Sequence, residues 1–163
     1  MFASREKSPM IPFIEFAMVV LILFWAVPTA SAERLFKGQT IYVPAYSHVY
    51  HGDRQQAFYL TVALSVRNTD PVHPITVVAV DYFDSEGKLL KQYLEKELKL
   101  NGMASAEFIV RESDRSGGLG ANFVVVWKSA EKVTEPIAET VMIGTMSQQG
   151  ISFTSRGRAI KEE

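Results

Sequence analysis

The sequence contains no cysteine. That excludes disulfides, a lipid-anchored cysteine, thiolate metal sites and a thiol nucleophile. Histidine is scarce, at three residues, and no Gly-x-Ser-x-Gly or His-Glu-x-x-His pattern occurs. A hydrolase needs a nucleophile, a base and an orienting group. Ser47 beside His48 does not make such a pair by adjacency alone. A histidine hydrogen-bonded to Ser47, Ser113 or Ser116 in a pocket would be the mark of one. The chain therefore reads as non-enzymatic. Neither sign of charge dominates: 17 Lys and Arg stand against 18 Asp and Glu, for a net charge of −1. That gives no electrostatic case for nucleic acid or for an anionic membrane surface. Asn68, Asn101 and Asn122 all lack a hydroxyl residue two positions on, so there is no glycosylation sequon. There is no internal repeat, and nothing implies a cofactor.

One long apolar run is present, and it is short for a membrane. Arg5 and Lys7 make a basic start, and Ala17 to Val27 is unbroken apolar sequence. Spanning a bilayer takes about 20 such residues. Pro28 follows, then Ala30-Ser31-Ala32, a small-x-small cleavage pattern. Residues 1–32 are thus expected to be a secretory signal peptide with a signal helix, cut between Ala32 and Glu33. No membrane span would remain after cleavage. The expected address is exported: bacterial periplasm or extracellular. The remaining length suits one domain.

The centre of that domain is Phe58 to Leu100. Leu60, Val62, Leu64 and Val66 share one parity, with Thr61, Ala63, Ser65 and Arg67 on the other. This period of two predicts a strand with one buried face. Asn68-Thr69-Asp70-Pro71 stops it, because Asn and Asp side chains bond nearby backbone and Pro cannot donate to a ladder. Ile75 to Phe83 is continuously apolar or β-branched but for Asp81, which predicts a central strand covered on both sides. Asp84-Ser85-Glu86-Gly87 predicts a tight hairpin turn. Lys88 to Leu100 is charged and reads as one or two edge strands. Further strands are expected at Ile41–Val43, Ala104–Val110, Phe123–Trp127 and Ile137–Thr145. Glu33–Thr40 reads as a polar lead-in, and Ser129–Glu135 as a polar turn. The fold class is all-β: an immunoglobulin-like antiparallel β-sandwich of about seven strands over residues 33–146. Residues 147–163 read as a polar C-terminal tail, partly strand.

Three stretches are distinctive together: Ile41 to Asp53 (IYVPAYSHVYHGD), Ser65 to Ile75 (SVRNTDPVHPI) and Ser147 to Gly157 (SQQGISFTSRG). In them the chain resembles a family of secreted bacterial proteins known only as a domain of unknown function. The block from Val66 to Phe108 also resembles the Ig-like modules common in exported bacterial proteins. The resemblance implies export and a single small β-domain. It brings no catalytic residues, cofactor or partner.

Several residues remain as site candidates. Tyr46, His48, Tyr50 and His51 alternate aromatic and polar character, which suits recognition. The tail with Arg156 could act beside them. Ser113 to Gly118, with Asp114, could cradle an anion through backbone N–H groups, but no Gly-Lys-[Ser/Thr] follows as a P-loop requires. His48 and His51 with Asp53 are weak metal candidates, since a spacing of three sends strand side chains to opposite faces. Asp81, Asp84 and Glu86 lack the spacing of an EF-hand loop. The sequence reads best as a secreted, non-enzymatic interaction module of the bacterial cell envelope, its partner an envelope protein or glycan. The alternative is a periplasmic metal-binding protein using His48 and His51.

Overall fold

The computed structural model describes residues 34–146 and 149–162. The signal segment expected over residues 1–32 lies outside them. The described chain is all-β and antiparallel. In order, the strands are β1 (Leu35–Pro44), β2 (His48–His51), β3 (Gln56–Tyr59), β4 (Thr61–Arg67), β5 (Ile75–Phe83), β6 (Leu89–Gln92), β7 (Leu98–Leu100), β8 (Ser105–Val110), β9 (Asn122–Thr134), β10 (Ile137–Met146), β11 (Gln149–Arg156) and β12 (Arg158–Glu162). One sheet runs β12-β1-β9-β5-β6, with β7 also on β5. A second runs β11-β10-β4-β8, and β2 and β3 form a separate hairpin.

The two larger sheets bury their apolar faces in one cluster. Ile41, Val43, Val77, Tyr82, Phe123, Val125 and Trp127 come from the first sheet. Val62, Leu64, Val66, Phe108, Val110, Ala138 and Met142 come from the second. Full burial of such a side chain contributes roughly 1.5–3 kcal/mol. The parity read at Leu60 to Val66 is observed, with all four residues fully buried. The second apolar run has a different cause from the one expected. A bulge between Val77 and Ala79 shifts the register of β5 against β9. The buried set changes there from Ile75 and Val77 to Val80 and Tyr82, so both parities must be apolar. The other face of β5 is only half-buried.

Among the described residues, twelve strands replace the expected seven for identifiable reasons. The polar lead-in is the first half of β1, held between β12 and β9, with Gln39 buried. The expected turn at Ser129–Glu135 is the end of β9: Val133 is fully buried and pairs with Phe36. The tail is two strands. β11 adds to β10, and β12 crosses to the other sheet and adds to β1. The chain changes sheets at Gly157, whose N–H donates to Ala138 O at 2.8 Å. A Cβ there would lie 2.7 Å from Ile41 Cγ2 and 2.9 Å from Val43 Cγ2, so the crossing needs glycine. Thr140, fully buried, ties the same corner by donating to Pro44 O at 2.6 Å.

Two turns behave as their residues dictate. Asp84 Oδ1 accepts the N–H groups of Glu86 and Lys88, and Gly87 takes φ 81°. Asn68 is a buried hub: its amide donates to the carbonyls of His73, Leu100 and Asn101, and its Oδ1 accepts from Asp70 N–H. Asp70 Oδ1 accepts in turn from Val72 and His73 N–H, each at 2.8 Å.

Candidate functional site

The candidate site is built on the β2–β3 hairpin. Leu60 leaves the ladder because its N–H donates to Ser47 O at 3.0 Å, which turns β3 away from β4 and toward β2. Gly52 (φ 66°) and Gln55 (φ 50°) close the turn. The hairpin is seated on β10 at Gly144, where a Cβ would lie 2.5 Å from Tyr59 O and 2.6 Å from Phe58 Cε1.

His48 pairs with Tyr59 and His51 with Gln56. Side chains alternate along each strand, so the two histidines occupy opposite faces. The His48 ring lies 5.0 Å from Tyr50 and 6.0 Å from Tyr59, whereas the His51 ring lies 6.0 Å from Phe58. They do not converge on one ion. Among the described residues, no three His, Cys, Asp or Glu side chains group closely enough to hold a metal. Asp84, in the acidic stretch, is occupied by the turn amides.

The face carrying Val49, His51 and Phe58 fronts the start of β11. Together with Tyr50, Gln149 and Ile151 it lines a groove of 610 Å³. Tyr50 is 55% exposed and His51 is exposed. Tyr46 does not line the groove, but its ring meets Phe153 of β11 at 5.7 Å. The structure thus places the aromatic-histidine stretch beside β11. Gln56 also lines this groove; it was not foreseen, and its polar context resembles any surface turn.

The other candidates lie apart from this groove. Arg156 ends β11 and borders a smaller cleft of 320 Å³ with Ile41, Glu135 and Arg158. Asp114 accepts from the Ser116 N–H and hydroxyl. It lines a third cleft with Lys91 and Tyr93. Burial, helped by the charge of Asp114, pushes the Tyr93 phenol up to about 12. In the glycine-rich loop the Ser116 and Gly120 N–H groups donate to Asp114 Oδ1 and Ser85 Oγ. Its carbonyls are taken: Gly117 O by Ser85 N–H and hydroxyl, Gly118 O by Ser47 N–H and hydroxyl.

Ser47 Oγ lies 3.4 Å from His48 Nδ1, the one approach of this kind that the sequence flagged. The hydroxyl is fully buried and gives its proton to Gly118 O at 3.0 Å. With its proton on Gly118 O the hydroxyl accepts from His48 Nδ1 in the Nδ1–H tautomer, opposite to the arrangement of an activated nucleophile. No helix among the described residues is long and apolar enough to cross a membrane.

A family model described as "Protein of unknown function (DUF3124)" matches residues 38–160. The match spans the three motifs that carried the resemblance. No curated protein matches the chain. A solved structure described as the crystal structure of Thermotoga maritima 1070 is similar at 8% identity, with a TM-score of 0.46. The similarity covers 78% of this chain and 97% of that one.

Proposed function

We propose, for a chain that belongs to the DUF3124 family of proteins of unknown function, an exported, non-enzymatic binding module of the bacterial cell envelope. The basic start, the apolar run and Ala30-Ser31-Ala32 support export. Two antiparallel sheets around one apolar cluster support an immunoglobulin-like sandwich as the scaffold. The groove between the hairpin and β11 is the binding site. One observation carries this reading: the exposed His51, its ring against Phe58, stands with Tyr50 and Gln56 across a groove of 610 Å³ from Gln149 and Ile151 of β11.

The lining chemistry suits a glycan ahead of a protein. Phe58 and Tyr50 offer apolar ring surface, while Gln56, Gln149 and His51 offer donors and acceptors for hydroxyl groups. The committed proton of Ser47 and the divergence of the histidines support binding without chemistry. The test is a thermal-melt and NMR titration of the full chain with soluble cell-wall glycan fragments. Saturable shifts at Tyr50, His51 and Ile151 that vanish in Tyr50→Ala are the expected result. A ligand at 100 times its Kd adds about 2.7 kcal/mol to the folded state. Shifts confined to residues outside the groove, or turnover of any fragment, would overturn the reading.

A further inference from the structure

The opposite face of the hairpin carries a second, chemically different cleft. Tyr59, paired with His48, borders 480 Å³ of space together with Arg111, Glu112, Ser113 and Arg115. The Arg115 guanidinium sits 4.1 Å from the centre of the Tyr59 ring. Among the described residues, ion pairs join Arg67 to Glu139, His73 to Asp70 and Lys128 to Glu97. None neutralises Arg111 or Arg115. The nearest acid in sequence to Arg115, Asp114, is occupied by Ser116. Asp114 keeps its charge and lines the adjoining cleft with Arg111 and Lys91, so across the two clefts three cations, Lys91, Arg111 and Arg115, stand against two carboxylates, Glu112 and Asp114, a positive excess on a chain whose net charge is −1.

We infer that this cleft binds a phosphate group, with Arg111 and Arg115 as its ligands and Tyr59 as the platform that holds Arg115. A cation–π contact uses the guanidinium's charge and leaves its N–H donors unspent. Holding the side chain over a ring lowers the entropy lost when those donors bind. Forked guanidiniums match phosphate oxygens bidentately. Two forks and the Ser113 hydroxyl offer more donors than a planar carboxylate accepts, and a tetrahedral anion of up to two charges matches them. The site is distinct from the groove: Tyr59 lies on the His48 face, whereas His51, Phe58 and Gln56 of the groove lie on the other face and Gln149 and Ile151 on β11.

The probe is inorganic phosphate, titrated into the full chain at constant ionic strength. Arginine Nε–H resonances and the Tyr59 ring signals are followed by NMR, with acetate and chloride as matched arms. Saturable shifts with phosphate, weaker with acetate and absent with chloride, are expected. Arg111→Gln and Arg115→Gln should each weaken binding about tenfold or more, and Ile151→Ala, in the groove wall on β11, should leave it unchanged. Equal shifts with chloride, or arginine variants that bind phosphate as well as the parent, would overturn the inference. A parallel arm offers vesicles of anionic phospholipid. Arginine-dependent binding to vesicles but not to free phosphate assigns the group to a lipid headgroup, and the converse to a soluble ligand. Binding to neither sinks the proposal.

Discussion

Gly157→Ala tests the sheet crossing directly. The added methyl would meet Ile41 Cγ2 at 2.7 Å, Ala138 O at 2.8 Å and Val43 Cγ2 at 2.9 Å. Carbon atoms prefer about 3.5–4.0 Å. None of the three neighbours is soft. Ile41 and Val43 are β-branched, stiff at χ1 and buried in the core. Ala138 O is backbone and already accepts the Gly157 N–H. Overpacking costs about 1–3 kcal/mol, and loss of that hydrogen bond adds about 1 kcal/mol. A total near 3 kcal/mol should lower the urea midpoint by about 1–2 M and the thermal midpoint by roughly 6–12 °C. Gly150→Ala is the matched control. It lies in the adjoining strand β11, and a Cβ there meets nothing within 4 Å. Its effect should stay within about 0.5 kcal/mol. A Gly157→Ala chain that melts with the parent would refute the reasoning. So would a Gly150→Ala chain that loses as much.

Three other outcomes follow from side chains already placed. Asn68→Ala should cost about 3 kcal/mol by urea denaturation, because it strands the buried Leu100 carbonyl and Asp70 N–H and removes the bonds to Asn101 and His73. Asp70 is held below its usual range, first by the N–H groups of His73 and Val72. Its contribution is therefore complete above the ordinary carboxylate pKa and is lost as pH falls through the lowered one. Asp70→Asn should flatten that acid limb, and an unchanged slope would argue against it. Burial raises the phenols of Tyr82 and Tyr93, with Tyr93 at about 12. Their contribution is intact below the ordinary phenol value near 10 and is lost as pH rises from there. Ultraviolet titration should find both silent until the fold opens, and an ordinary phenolate step at either position would contradict their burial.

Local patterns made the middle of the chain legible. The parity of Leu60 to Val66 and the Asp84–Gly87 turn are decided by residues within a few positions of one another, so the sequence displays them. The opposed histidines follow from the same period of two. Long-range pairing is another matter. Lys37-Gly38-Gln39 carries no strand pattern; it is strand because Gly38 and Gln39 pair with β9 and Gln39 also pairs with β12. Lys128 to Thr134 looks like a turn until Phe36 is placed opposite Val133. The groove was half visible: its aromatic stretch stood out, but its other wall is Gln149 and Ile151, brought near by a β10–β11 hairpin. Arg115 over Tyr59 joins residues far apart in sequence, and no spacing rule reports such a contact.

The two-sheet closure at Gly157 also sets a schedule. During synthesis β1 emerges before one of its neighbours, β12, which is made after the other described strands. β10 likewise waits for β11. A nascent chain that has reached Met146 holds most of its core residues but exposes two unpaired strand edges. Such edges recruit strands from other chains. Removing residues 149–162 would therefore do more than shorten the protein. It would leave every molecule with the edges of β1 and β10 that β12 and β11 otherwise cover.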